Sequence, residues 1–214
     1  MSWKVAWIVA TGLVGGLALA RLTQDADTGT ATWDATRAAG FAGYILLWLS
    51  VMGGMLIHLR FRPFGQAVTG VLEAHRIVSA LALSFVVAHL FGLVVDPVIN
   101  FSVVDLGVPF LSSYRPIQVG FGSLALWLMV VVLASTALSG YMPYRAWRKL
   151  HYLAFPAWLL TLLHGVTNGT DTNSAPALSL YTVTAMSVVG LTVYRLFGRD
   201  WVQLGDAPIR PLRR

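Results

Sequence analysis

The sequence predicts an all-α integral membrane protein, a six-helix bundle, and three observations support this fold class. Of the 214 residues, 57% are hydrophobic and only 11% are charged, whereas a soluble domain carries roughly 25% charged residues. The mean hydropathy is +0.69. The apolar residues gather into six stretches, each long enough to cross a hydrocarbon core of about 30 Å, which takes about 20 helical residues.

The six stretches are the predicted membrane spans of a single domain that covers the whole chain, because no soluble domain fits beside them. They lie at 3–21, 38–58, 71–95, 117–139, 149–168 and 177–197. The first has an alternative interpretation, because Lys4, an apolar run and small residues at 18–20 are typical of a cleaved signal peptide. We favour an uncleaved helix, since a single lysine is a weak charged region for a signal peptide.

The chain contains no cysteine. This excludes disulfides, thiolate-ligated iron–sulfur clusters, covalently attached c-type haem and a cysteine nucleophile. The net charge is +6, but the basic residues flank the apolar spans, which is the pattern of a membrane protein. We therefore expect the lipid bilayer as a partner and no nucleic acid.

The distribution of basic residues predicts the orientation. Of the 15 lysines and arginines, all but Arg21, Arg37 and Arg115 fall in one set of loops and helix ends. Cytoplasmic segments carry an excess of lysine and arginine. The richer set is therefore predicted to be cytoplasmic, and both termini lie on that side.

Four histidines carry the functional prediction. His75 and His89 lie 14 residues apart in the third span. His151 and His164 lie 13 residues apart in the fifth, which crosses in the same direction. They thus form two levels, one near each face of the membrane. Histidine is costly in a bilayer, and neutral imidazole is a common axial ligand of haem iron. We predict haem sites between the third and fifth helices; hydrogen bonding between helices is the alternative.

Helical phase tests this prediction. Fourteen residues make nearly four turns, so His75 and His89 share a face. Thirteen residues place His151 and His164 off one line in an ideal helix. Pro156 lies between them and can kink a helix. The fifth span fits only if it is irregular, or if two haems approach it from different sides.

The sequence around these histidines resembles the ferric reductase-like transmembrane domain. That family is shared by NADPH oxidases, metalloreductases and the haem subunit of bacterial methionine sulfoxide reductase systems. The matching residues are His75-Arg76, Ala88-His89-Leu90, Leu150-His151-Tyr152 and Leu163-His164-Gly165. The stretches 96–116 and 144–172 look like the bacterial members. The resemblance is densest from 71 to 172.

The resemblance implies two haem b groups, an inner one between His75 and His151 and an outer one between His89 and His164. It implies a haem subunit of an oxidoreductase in the bacterial inner membrane, passing electrons across it. The direction of flow, outward from the cytoplasm, follows from the resemblance alone.

The family's larger enzymes also carry flavin and nicotinamide domains. Here only about 17 residues follow the sixth span, and no GxGxxG loop stands between a strand and a helix. We therefore expect an incomplete enzyme whose electron donor and acceptor come from elsewhere. The candidates are a redox partner such as a flavoprotein, a diffusible carrier such as quinol or flavin, or a larger membrane complex.

Three arginines are predicted to contact the anionic haem propionates, because guanidinium groups suit carboxylates. Arg76 and Arg148 adjoin the inner level, and Arg115 lies in the outer loop, 96–116. For the inner pair, topology-setting charge and lipid headgroup contact are the alternative. The outer loop is unusually apolar. It is predicted to fold back over the outer haem, to dock a partner or to lie in the bilayer surface.

Trp158 is the last candidate cofactor-binding residue. It lies seven residues past His151, about two turns on, and the midpoint between the histidines of the third span is the small residue Ala82. Trp158 is predicted to lie between the haems and shorten the electron path, with core or lipid packing as the alternative. His58 ends the second span and is predicted to be interfacial.

Three other functions remain open. A quinol-linked cytochrome b subunit of a larger complex would share the haems but use quinone at one face. A haem-free structural or transport subunit would use the histidines for helix packing. A terminal reductase would act alone on ferric iron or oxygen.

Overall fold

The computed structural model describes residues 29–59, 68–96 and 101–197. Within these ranges the chain is 85% helix and has no strand, as predicted for an all-α protein. The α-helices are α1 (Gly29–His58), α2 (Val68–Val95), α3 (Val103–Gly107), α4 (Pro116–Ala137), α5 (Tyr144–His151), α6 (Ala154–Asn168) and α7 (Ala175–Phe197). A 3₁₀ turn, Ser139–Tyr141, connects α4 to α5.

Four of these helices are long and apolar enough to cross a membrane, namely α1, α2, α4 and α7. They correspond to the second, third, fourth and sixth predicted spans. Only 22–33% of the residues in their most apolar windows are buried inside the protein. Most of their apolar surface therefore faces outward, as a helix surrounded by lipid requires. The first predicted span, 3–21, lies outside the described residues.

The fifth predicted span, 149–168, is not one continuous helix. It is divided between α5 and α6, and α6 alone would reach only about 22 Å. The break is wound as 3₁₀ turns, in which the Leu153 N–H donates to the Leu150 carbonyl at 3.0 Å and the Phe155 N–H to the Tyr152 carbonyl at 3.1 Å. Pro156 has no N–H to donate and follows in the first turn of α6, where proline is tolerated. The structure therefore has the irregularity that the histidine spacing requires.

The helices are arranged as two closely packed pairs. In the described part of the chain, α1 packs along α2, and α4 packs along α6, whereas α2 and α6 make little direct contact. The main core joins α1, α2, α6 and α7 at mid-height. Its buried members are Tyr44, Leu47, Val51, Met55, Ala82, Trp158, Ala177, Tyr181 and Val188. α2, which carries His75 and His89, and α6, which carries His164, are thus linked mainly through other helices.

Two polar contacts connect α1 to α7 inside this apolar bundle. The Tyr44 hydroxyl hydrogen-bonds the Thr184 hydroxyl, and Trp48 Nε1 donates to the Ser187 hydroxyl at 2.8 Å. Hydrogen bonds between helices are worth up to about 1–2 kcal/mol in a membrane. Both hydrogen bonds can form only in one relative position of the two helices, so together they fix the position of α7 along α1.

Small residues allow α1 and α2 to approach closely. A Cβ atom at Gly92 of α2 would overlap the side chain of Thr36 on α1, and one at Gly43 of α1 would lie 3.4 Å from Val86. Glycine at such contacts brings two helix backbones together. This proximity lets histidines on α2 reach the backbone of α1.

Gly92→Ala is expected to destabilise the protein, because the added methyl group has no space beside Thr36. The expected loss in the free energy of unfolding is about 1–3 kcal/mol, as for other overpacked sites. Gly190→Ala on α7 is the matched control, since no described atom lies within 4 Å of its Cβ position. It should be neutral or stabilising by up to about 1 kcal/mol. Denaturant unfolding in detergent measures both, and equal stabilities would contradict the close approach.

Candidate functional site

The structure brings the four predicted histidines together as two facing pairs. The rings of His75 on α2 and His151 at the end of α5 have centroids 6.2 Å apart and are inclined by 72°. His89 on α2 and His164 on α6 line one cavity. The two levels are 14 residues apart along α2, which corresponds to roughly 21 Å. The pairs are those predicted from the sequence.

Both histidines of α2 are held by the backbone of α1. His75 Nδ1 lies 2.9 Å from the carbonyl oxygen of Ser50, and His89 Nδ1 lies 2.9 Å from that of Thr36. A carbonyl oxygen can only accept, so Nδ1 carries the proton in both rings. Nε2 is then unprotonated, and its lone pair is available to a metal ion.

The partner histidines, His164 and His151, both contact α4, but only His164 makes a short hydrogen bond to it. His164 Nδ1 lies 2.8 Å from the carbonyl oxygen of Gln118, the same arrangement as on α2. His151 Nδ1 instead lies 3.5 Å from the hydroxyl of Thr136, at the limit of a hydrogen bond. Its ring stacks on Trp147 at 5.1 Å and 27°. Stacking on Trp147 therefore helps to orient the His151 ring, which lacks a short hydrogen bond.

A glycine accompanies each of the three carbonyl acceptors, four residues further along the same helix. The pairs are Thr36 with Gly40, Ser50 with Gly54, and Gln118 with Gly122. In an α-helix, residue i+4 donates its N–H to carbonyl i, so its Cβ lies next to that oxygen. A Cβ at Gly40 would be 3.0 Å from His89 Nδ1, and one at Gly122 would be 2.8 Å from His164 Nδ1. Gly40 and Gly122 thus provide the space through which His89 and His164 reach their carbonyls, whereas the Cβ position of Gly54 is 3.6 Å from His75 Cε1, an ordinary contact.

The cavity at the His89–His164 level has a volume of about 170 Å³ and opens to the surface. Its wall is mainly apolar and aromatic, with Phe41, Leu126 and Met129 among the lining residues. The two imidazoles thus line one mainly apolar cavity, which is the kind of surrounding that a haem takes.

The His75–His151 level fits a metal ion held by two imidazoles. Two rings bound to one metal from opposite sides, with metal–nitrogen distances of about 2 Å, have centroids roughly 6 Å apart. The observed separation is 6.2 Å. The residues present therefore fit bis-imidazole ligation of haem iron, by the ring separation of His75 and His151 and by the shared apolar lining position of His89 and His164.

The outer loop lies over the cavity. Leu106 and Tyr114 belong to this loop and line the cavity wall. Two side chains of α4 hold it in place: the Ser123 hydroxyl donates to the Leu106 carbonyl at 2.7 Å, and Trp127 Nε1 donates to the Gly107 carbonyl at 2.7 Å. The opposite side of the loop is exposed, with 72% of Val103 and 58% of Leu111 accessible. In its described part, the loop therefore folds back over the His89–His164 level, and its exposed apolar side leaves contact with a partner or with the bilayer surface as predictions.

Arg115 is held next to the cavity without lining it. Its backbone is left-handed (φ 44°, ψ 64°) at the start of α4, and Pro116 follows it. The right-handed helical conformation is disfavoured before proline. The guanidinium group lies 5.5 Å from the ring centre of Tyr114, which does line the cavity. Arg115 therefore approaches the predicted outer haem through Tyr114.

The two inner arginines have other partners. Arg76 forms an exposed ion pair with Glu73, one turn earlier on α2, at 3.5 Å. Arg148 donates to the Tyr152 hydroxyl at 2.9 Å, and Arg195 of α7 donates to the same oxygen at 3.0 Å. Neither arrangement places a guanidinium group on His75 or His151.

Trp158 is buried in the core, with 5% of its surface exposed, in the same cluster as Ala82. Both lie between the two histidine levels in the sequence of their helices. Trp158 and Ala82 thus belong to the same buried cluster, between the two histidine levels. Core packing is one role that the structure shows for Trp158.

Arg37 lines the cavity, and the sequence did not single it out. It forms ion pairs with Asp34 and Asp171, each at 3.3 Å, and donates to the Thr170 hydroxyl at 3.3 Å. The available signal was the scarcity of basic residues on the outer side. Its contact with Asp171 depends on the packing of α1 against the loop that precedes α7, which hydropathy does not reveal.

Comparison of the chain with protein-family models, curated proteins and solved structures gives no match. Functional inference therefore depends on the geometry of the chain's own residues and on the resemblance described above.

The cap of α3 in the outer loop generates a pH prediction. Hydrogen bonds from the hydroxyl and N–H of Ser102 hold the pKa of the Asp105 carboxyl below its usual value of 3.8. Because the pKa of Asp105 is lower in the folded protein than in the unfolded chain, the ionised carboxylate stabilises the capped loop at pH values above the unfolded pKa. This stabilisation is lost as the pH falls through the lower pKa of the folded protein.

Ser102→Ala should raise the pKa of Asp105 towards 3.8. Ser113→Ala, which removes an exposed hydroxyl of the same loop, should leave the pKa unchanged in a ¹³C NMR titration. An unaltered titration in Ser102→Ala would contradict this assignment.

Proposed function

We propose that the chain is a di-haem b transmembrane electron-transfer protein of the ferric reductase-like type. One haem lies between His75 and His151 and the other between His89 and His164. The observation that carries this proposal is the paired arrangement of the imidazoles, three of which are oriented through Nδ1 with Nε2 free. Histidines that only joined neighbouring helices would also bond to carbonyls, but they would not need to face one another in two pairs with Nε2 unprotonated.

The chain's residues prepare the ligands before any metal binds. The Nδ1–H bond to a backbone carbonyl fixes the tautomer and the ring orientation, and it raises the basicity of Nε2. Haem iron, when bound, supplies a one-electron carrier at each level. The protein supplies ligands, spacing and a low-polarity environment.

Trp158 occupies the region between the levels. Because Trp158 packs against the core of α1, α2, α6 and α7, it is rigidly placed. We propose that its ring shortens the path between the two haems, beyond its role in packing. Arg37 on the cavity wall and Arg115 beside Tyr114 are the proposed partners of the outer propionates.

The electron donor and acceptor are proposed to come from partners, either a redox protein or a diffusible carrier such as quinol or flavin. The orientation, with both termini in the cytoplasm of a bacterial cell, is part of the same proposal. It is supported by the asymmetry of the basic residues in the sequence.

A reduced-minus-oxidised visible spectrum of the purified protein, with haem quantified per chain, tests the central claim. We expect two b-type haems per chain. One haem per chain would restrict the proposed haem ligation to one of the two histidine pairs. A folded protein without haem, after expression with haem supplied, would leave a structural or transport subunit as the function. Reduction of bound haem by added quinol would favour the quinol-linked alternative.

Substitution of the ligands is expected to remove haems one level at a time. His89→Ala and His164→Ala should each lower the haem content from two to one per chain, because bis-histidine ligation needs both imidazoles. His58→Ala is the control, since His58 is the last residue of α1 and is not a proposed ligand, and it should keep both haems. Retention of two haems in either ligand variant would refute the assignment of that histidine.

The space between Gly40 and His89 is smaller than the space between Gly54 and His75. Alanine substitution is therefore predicted to affect the two histidine levels differently. Gly40→Ala adds a methyl group 3.0 Å from His89 Nδ1 and should tilt the ring away from its carbonyl. The expected result is a shifted spectrum or a loss of the outer haem. Gly54→Ala lies on the same helix with 3.6 Å to His75 Cε1, an ordinary contact, and should preserve the inner haem. Electron paramagnetic resonance of the oxidised variants separates the two signals. Equal effects at both sites would contradict the role of Gly40.

A further inference from the structure

Two arginines converge on one tyrosine where α5, α6 and α7 meet. Arg148 Nε and Arg195 donate to the Tyr152 hydroxyl at 2.9 and 3.0 Å. Both guanidinium groups also lie over the Tyr152 ring, 5.6 and 5.5 Å from its centre. The side chains thus form a compact group, which we call the Tyr152 cluster.

The Tyr152 cluster concentrates positive charge. Since each donor nitrogen is about 3 Å from the same oxygen, the two nitrogens lie within about 6 Å of each other, where like charges repel. In residues 29–59, 68–96 and 101–197, no carboxylate lies within ion-pair distance of Arg148 or Arg195. The phenol has a single oxygen and supplies no full negative charge. An anion bound to both guanidinium groups would relieve this repulsion.

The surroundings of the Tyr152 cluster favour an anion attached to an apolar chain. α5 is a short, strongly amphipathic helix with basic residues in its last turn, a pattern typical of helices at a membrane surface. Beyond Arg195, the apolar side chains of Leu196 and Phe197 are 67% and 66% exposed on α7. A phospholipid would place its phosphate on the arginines and its acyl chains along this apolar surface.

We propose that Arg148, Arg195 and Tyr152 bind the phosphate group of an anionic phospholipid. The planar fork of each guanidinium group matches two phosphate oxygens, and the shared tyrosine keeps the forks together. None of the three is a proposed haem ligand, so the site does not depend on the proposed function. It gives Arg148 a different ligand from the haem propionate predicted from the sequence.

Native mass spectrometry of the full chain in detergent tests the site, using phosphatidylglycerol and phosphatidylcholine with the same acyl chains. The variants are Arg148→Lys and Arg195→Lys, which keep the charge but lose the fork, and Lys149→Gln, which removes a neighbouring charge. We expect each arginine variant to weaken phosphatidylglycerol binding by about tenfold, the effect of losing a hydrogen bond to a charged group. Lys149→Gln should change it less. Unchanged elution in gel filtration shows that each variant remains folded.

A diffuse attraction between lipid and surface charge predicts the reverse pattern. In that case Lys149→Gln weakens binding by about fivefold, the usual effect of one basic residue near a membrane, while both arginine-to-lysine variants bind as the unmodified chain does. That result overturns the proposal. The second measurement is competition between inorganic phosphate and phosphatidylglycerol. If millimolar phosphate displaces phosphatidylglycerol, the phosphate site stands but its ligand is a soluble phosphate, and the lipid assignment is overturned.

Discussion

The hydrogen bond from an imidazole Nδ1–H to a backbone carbonyl of the adjacent helix is the interaction on which this structure depends. It occurs at His75, His89 and His164 with distances of 2.8–2.9 Å. A carbonyl oxygen has two lone pairs, so it accepts from the histidine while keeping its own helical bond. Each histidine is thereby satisfied in an apolar medium without disrupting the helix that holds it, and its second nitrogen remains free.

This hydrogen bond also determines which helices pack together. A side chain as short as histidine reaches the backbone of another helix only when the two helices are in close contact, and only where no Cβ blocks the approach. Gly40 and Gly122 remove that obstacle. Consequently α2 must pack on α1, and α6 on α4, whereas α2 and α6 remain separate. The gap between the histidine-bearing helices therefore follows from the way their histidines are held.

The sequence was sufficient to predict features that depend on local spacing and hydropathy. The spans that became α1, α2, α4 and α7 and the two-level pairing of the histidines are of this kind. The carbonyl acceptors, the glycine beside each one and the contact of Arg37 with Asp171 depend on how helices align with each other, and single-chain periodicity carries no information on that alignment. The division of the fifth span at Tyr152 was foreseen only as an irregularity, because Pro156 indicates where a helix is weakened but not where it breaks.

The two levels are not equivalent, although the sequence spacing makes them look alike. At one level, His89 and His164 both donate to carbonyls. At the other only His75 does, because His151 Nδ1 faces the hydroxyl of Thr136, at 3.5 Å, instead of a carbonyl. The broken helix explains this difference, because the turn at Tyr152 moves the end of α5 out of the alignment that α6 keeps with α4. His151 then depends on its stacking partner Trp147, so the inner level has one firmly held imidazole and one whose orientation is set by an aromatic contact.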